Sequence, residues 1–157
     1  KEVVSGISYS SDEAKITLRR VKDQPGVAAG IFGPLADASV NVDMIVQNVS
    51  EDGKTTDLTF TVTARDLNHA EEVLSKKKTK IGFDDLVSDS NLSKISIVGV
   101  GMRSNTGVAK TMFNTLAEKN INIKVISTSE IKISVLIDTE YTELALRALH
   151  SAYGLDQ

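Results

Sequence analysis

Asp23-Gln24-Pro25-Gly26-Val27-Ala28-Ala29-Gly30-Ile31-Phe32-Gly33-Pro34-Leu35-Ala36-Asp37-Ala38-Ser39-Val40-Asn41-Val42-Asp43-Met44-Ile45-Val46-Gln47-Asn48 decides the fold, because the pattern occurs twice. Gly26-Val27-Ala28 returns as Gly107-Val108-Ala109, an offset of 107 − 26 = 81. In that register Phe32 meets Phe113, Leu35 meets Leu116, Ala36 meets Ala117 and Asn41 meets Asn122. One matched tripeptide would be noise. Identities held in register through a loop, a helix and a strand mark an internal repeat, and a repeat sets the architecture.

The stretch reads as loop, helix, strand. Pro25 suits a turn or the first position of a helix, and Gly26 permits close backbone approach. Val27, Ile31, Leu35 and Ala38 fall at helical spacing, so one stripe faces a core. Val40-Asn41-Val42 opens a β-branched run. A helix that starts on a short loop presents N–H groups suited to a carboxylate or phosphate. The plainer alternative is a tight loop-to-helix joint and nothing more.

A chain of 157 residues built on a repeat divides into two units. At roughly 75 residues each, such units bury only about 60% of their chain surface, so shared packing or a dimer is expected. Apolar content of 41% and charged content of 25% describe an ordinary globular protein. A net charge of −3 gives no electrostatic case for nucleic acid or an anionic membrane. The absence of cysteine excludes disulfides and cysteine-based metal sites. No apolar run approaches a membrane span and the start is unlike a signal peptide, so the cytoplasm is the expected location. Because the sequence begins at Lys1 rather than Met, a fragment or processed piece is expected.

Along the chain, Val3–Tyr9 is a short strand ending in a polar turn, Ser10–Glu13, and the alternation of Ala14–Val21 predicts a half-buried strand. After the key helix come strand Val42–Val49, an Asp-Gly turn at Ser50–Lys54, strand Thr56–Thr63, and helix Asp66–Lys76 with Asp66 as N-cap. Ile81–Val87 is a fourth, weaker strand. The second unit runs strand Leu92–Val100, loop Met102–Thr106, helix Gly107–Lys119, strands Ile121–Ser127 and Glu130–Ile137, and helix Thr142–Tyr153. It lacks a final strand, while a spare one stands at Val3–Tyr9. The economical answer is an α+β chain of two ferredoxin-like βαββαβ units. The first is inserted in the second, whose missing strand comes from the N-terminus. The boundaries expected are 14–90 for the first domain and 1–13 plus 91–157 for the second.

Catalytic chemistry finds little support. His69 and His150 lie on second helices without a nucleophile or carboxylate grouping around them. Lys76-Lys77-Lys78 and Lys80 follow a helix, where cations suit the dipole end. Asp84-Asp85 lacks a third ligand for a cation. Gly99-Val100-Gly101 has the look of a dinucleotide fingerprint, but the tight hairpin Ser127–Ile131 removes the parallel crossover that fingerprint needs. What remains is the pair of loop–helix openings. The first gathers Asp23, Pro25, Gly26, Val27, Ala28, Asn41, Asp43, Gln47 and Asn48. The second gathers Ser104, Asn105, Thr106, Gly107, Val108, Ala109, Asn122, Thr128, Ser129 and Glu130. N–H donors for a carboxylate, with carboxylates and amides for an ammonium, suit a free amino acid. The alternative is that these groups only cap helices and cover strand ends.

The chain resembles the regulatory region, or separate beta subunit, of aspartate kinases, which carries two ACT domains. The resemblance rests on Gln24–Phe32 (QPGVAAGIF), Asn41–Ser50 (NVDMIVQNVS), Asp52–Val62 (DGKTTDLTFTV), Ile95–Met102 (ISIVGVGM) and Asn120–Ile137. It implies feedback control by end products of the aspartate pathway, L-threonine first and L-lysine second. It also implies pairing of ACT domains across a homodimer and a kinase domain or alpha subunit as partner, with no catalytic centre and no cofactor in this chain. The family's threonine pocket draws on positions matching Asp23, Gly26, Ala28 and Gln47, with Asn122 and Ile123 lining the facing unit. Its lysine-binding surface matches Met102, the loop Ser104–Ala109, and Ser127-Thr128-Ser129-Glu130. Lys124 departs from the lysine-sensitive relatives, which carry an acidic residue there, and a cation at that position opposes a lysine side chain. The competing class is a structural dimerisation piece without effector binding.

Overall fold

The structure, a computed structural model, describes residues 4–99 and 106–155. It divides into two units: residues 12–90, and the strand up to Ser11 together with Asn91 onward.

In the unit 12–90, the second part of β1 (Val4–Lys22) is followed by α1 (Val27–Asp37), β2 (Ile45–Val49), β3 (Thr55–Thr63), α2 (Leu67–Lys76), α3 (Lys78–Ile81) and the start of β4 (Asp85–Gly99). The strand order is β2-β3-β1-β4. Antiparallel register sets Ile16 opposite Phe60 and Leu18 opposite Leu58, and on the other side of β3 Gln47 opposite Leu58. Period-two alternation therefore sends Ala14, Ile16, Leu18, Leu58, Phe60 and Val62 to one face. Ile31 and Leu35 of α1 and Ala70 and Leu74 of α2 join them in the core. Phe32 meets Phe60 edge-on, with ring centroids 5.3 Å apart and planes at 80°.

Helix α1 forms against its own propensity. Gly30, Gly33 and Pro34 all lie inside it, at a cost of about 1 kcal/mol per Gly and about 3 for Pro. Ile31 and Leu35 are fully buried, each contributing about 1.5–3 kcal/mol. Packing offsets propensity, and the edge-on Phe pair adds to it. The C-terminal end closes by a Schellman pattern: Ser39 takes φ 63°, Ser39 N–H bonds Ala36 O at 2.9 Å and Val40 N–H bonds Leu35 O at 2.9 Å. The repeat reproduces this closure, with Asn120 at φ 59° and Ile121 N–H on Leu116 O at 3.0 Å.

The other unit uses the first part of β1, β4 from Asn91, α4 (Thr106–Glu118), β5 (Val125–Thr128), β6 (Lys132–Asp138) and α5 (Thr142–Ala152). Its order is β1-β4-β6-β5. The Ser5 hydroxyl donates to Val98 O at 3.1 Å, and Val4 belongs to the core formed by Ile95, Ile97, Ile133, Val135 and Ile137 with Met112, Leu116 and Leu149. The N-terminal strand thus completes this sheet. The fold is α+β, with two ferredoxin-like units, the first inserted in the second.

Several boundaries differ from the sequence expectation. Ser10–Glu13 is not a turn: β1 runs unbroken from Val4 to Lys22, and Glu13 is buried opposite Thr63. The strand expected at Ile81–Val87 starts at Asp85 and continues to Gly99, because Lys78–Ile81 coils into α3 and Gly82, at φ 86°, turns the chain out of it. Asp66 occupies the N-cap position of α2 without a side-chain capping bond. Its carboxylate accepts the Thr63 hydroxyl instead, at 3.1 Å.

Candidate functional site

The first opening is built by the turn between β1 and α1. Asp23 N–H bonds Lys54 O at 3.0 Å, which ties the loop to the β2–β3 hairpin, and Val27 N–H bonds Gln24 O at 3.2 Å. Gly26 is the N-cap at φ 90° and ψ −6°, and no side chain caps the helix. An L side chain is strained in that left-handed conformation, which accounts for glycine here. The first i→i−4 bond is Gly30 N–H to Gly26 O at 3.0 Å. The N–H groups of Ala28 and Ala29 therefore precede the helical ladder and point out of its end. Asp23, Pro25, Gly26, Ala28, Asn41 and Gln47 are all exposed, and Val27 is half-buried.

Gln47 lies opposite Leu58, so it faces the helix-covered side of the sheet at its β2 edge. All of β2 is exposed, including Ile45 and Val49 at 52% each. Exposed apolar residues on an edge strand with free pairing groups form a surface that a partner strand would cover. A cavity of about 350 Å³ also adjoins the opening, lined by Gln24, Pro25, Gly26, Val27, Gly30, Pro34, Lys77, Lys80 and Ile81. Asp23, Ala28, Asn41 and Gln47 do not line it.

In the second opening, Met102, Ser104 and Asn105 lie outside the described residues. Thr106 and Gly107 begin α4 exposed, Val108 is buried and Ala109 half-buried. Asn122, Thr128, Ser129 and Glu130 are exposed, while Ile123 packs against the core. Ser129 N–H bonds Lys132 O at 2.8 Å, closing the β5–β6 hairpin. Lys124 is held by Asp138, Nζ to Oδ1 3.6 Å. Sequence reasoning missed Tyr153: its hydroxyl donates to Val108 O at 2.6 Å, and burial pushes its pKa up to about 12. The signal was available as an aromatic residue just past an amphipathic helix.

The remaining candidates are structural. Asp84 pairs with Arg20 and Asp85 with Arg19, an arrangement that fixes the β1 bulge, where Arg20 sits at φ 52°. That acidic neighbour holds the Arg20 guanidinium above its ordinary pKa. His150 Nδ1 is 2.7 Å from Leu146 O within its own helix. Among the described residues no group of His, Cys, Asp and Glu could hold a metal ion.

The ACT domain family matches residues 16–78 and again 95–153. A solved structure of aspartokinase alpha and beta subunits superposes at TM-score 0.88 with 50% identity, covering 97% of this chain and 99% of that one. The chain belongs to the aspartate kinase regulatory family, with tandem ACT domains. The regulatory subunit of aspartate kinase from Thermus thermophilus, ligand free, gives TM-score 0.88 at 40% identity over 96% of this chain and 99% of that one. Aspartate kinase Ask_LysC of Stutzerimonas stutzeri is 56% identical over 98% of this chain. The chain spans 37% of that relative's length. In this family's terms, the two ACT domains open at Gly26 and Gly107, the repeat that set the architecture.

Proposed function

We propose that the chain is the effector-sensing part of an aspartate kinase. It binds L-threonine at the first opening and passes that binding, as feedback control, to a catalytic domain or alpha subunit that phosphorylates aspartate with ATP. The observation that carries this reading is the uncapped α1 end. Gly26 in the left-handed conformation exposes N–H groups for a carboxylate, and the exposed Asp23 on the same loop and Gln47 on the β2 edge are the groups offered to an ammonium and hydroxyl.

Threonine is preferred to L-lysine because Lys124 stands at the second opening as a cation paired with Asp138. Lysine is the second candidate effector, at Thr106–Ala109, Thr128, Ser129 and Glu130. The working unit is a homodimer in the cytoplasm, its exposed β2 edges covered by the partner and its effector pocket completed by Asn122 and Ile123 of the second copy. The functional domain limits are 14–90, and 1–13 with 91–157.

A thermal-stability screen with threonine, lysine, methionine and isoleucine tests the reading. A ligand that binds only the native state raises Tm by mass action. Threonine should do so at the lowest concentration. A chain whose Tm answers to none of the four is a dimerisation module, and the effector reading fails.

A further inference from the structure

The two units differ at one equivalent place. In the second, Tyr153 meets the first turns of α4: its hydroxyl donates to Val108 O at 2.6 Å. Offsets of 81 for the first helix and 75 for the second carry Val108 back to Val27 and Tyr153 back to Lys78. No ring is supplied there. The space between the start of α1 and the segment after α2 is instead the cavity of about 350 Å³ that reaches Gly30, Pro34, Lys77, Lys80 and Ile81. That volume lies within the range of small-ligand pockets, about 300–1,000 Å³.

Its lining is specific in three ways. Pro25, Val27, Pro34 and Ile81 make apolar walls, and at Gly30 the wall is bare backbone, with nothing within 4 Å of where a Cβ would stand. Val27, whose carbonyl holds the place that Val108 O holds for Tyr153, is part of the same lining. Lys77 and Lys80 form part of the lining, and neither has an ion-pair partner among the described residues.

We infer that this cavity, which shares Pro25, Gly26 and Val27 with the first opening but extends away from Asp23 and Gln47 to Lys77 and Lys80, takes a small phenolic carboxylate. The ring occupies the space that Tyr153 fills in the sister unit. The phenolic hydroxyl donates to Val27 O, as Tyr153 does to Val108 O, and the carboxylate is held by Lys77 and Lys80.

Calorimetry of the whole chain with 4-hydroxyphenylacetate, p-cresol and acetate tests the inference. The acid should bind, with cresol and acetate each weaker by roughly tenfold or more. Gly30→Leu puts a side chain into the cavity from an exposed helical position and should weaken the acid by at least a similar factor. Lys77→Gln with Lys80→Gln should do the same without touching the helix, and serves alone if Gly30→Leu does not fold. Threonine titrations should be unchanged in the Lys77→Gln, Lys80→Gln variant, so failure of the threonine reading leaves this result intact. No binding of the acid, cresol binding as tightly as the acid, or full affinity in a folded variant of either kind would overturn the inference.

Discussion

Replacing Tyr153 by Phe removes one hydroxyl and isolates what it does for the second ACT domain. The hydroxyl donates to Val108 O at 2.6 Å, a bond from the end of the second helix to the first turn of α4. A typical hydrogen bond contributes about 0.5–1.5 kcal/mol net, and Tyr153 is only half-buried, so water replaces part of it. The expected loss near neutral pH is therefore about 1 kcal/mol or less, a Tm drop of about 2–4 °C. The decisive part is the pH dependence. Burial raises the folded phenol to about 12, against about 10 when unfolded. Between those values the unfolded chain has lost a proton that the folded chain keeps, so stability falls as pH rises through the window. The ring is only half-buried, and solvent screening reduces the effect to the order of 1 kcal/mol. The Phe variant has no such loss. Urea unfolding followed by circular dichroism at pH values from about 8 to 12 should show the wild-type advantage shrinking above pH 10. An advantage that stays constant across that range would refute the account of the buried phenol.

The glycines of α1 should respond oppositely. Gly26→Ala forces an L residue to φ 90° and should cost about 1 kcal/mol, whereas Gly33→Ala, with open space around its Cβ, should gain about 0.5–1 kcal/mol in chemical denaturation. On the exposed β2 edge, Ile45→Lys with Val49→Lys should leave the monomer fold intact and convert a dimer to a monomer in sedimentation at micromolar protein; a double variant that still sediments as a dimer would place the interface elsewhere.

The repeat, the alternation of β1 and β3, and the spare N-terminal strand made the two-unit fold legible, because each is a local pattern with one packing solution. The strand limits were not. Ser10–Glu13 is polar and reads as a turn, and the acidic pair at Asp84-Asp85 weakens the strand read at Ile81–Val87, yet β1 runs through the first and β4 runs from Asp85 to Gly99, with Glu13 buried. Composition does not reveal a partner's presence. At the first opening Gly26 reads as allowing close backbone approach, but nothing stands within 4 Å of where its Cβ would be, and glycine is required by the left-handed φ instead. The cavity beside it was not legible, since Lys77 and Lys80 satisfy the ordinary pattern of cations after a helix and only the fold brings them to Gly30. Tyr153 was read as a helix terminus for the same reason.

Calorimetric titration of threonine into the wild-type chain and into Asp23→Ala addresses the central claim most directly. Asp23 is exposed on the loop that leads into α1 and belongs to no core cluster, so the variant should fold and melt like the wild type. It should bind threonine more weakly by about 1.5–3 kcal/mol, roughly ten- to a hundredfold, through loss of a charge-assisted contact to the ammonium. A folded Asp23→Ala chain with unchanged threonine affinity would contradict the assignment of the effector to the Gly26 opening.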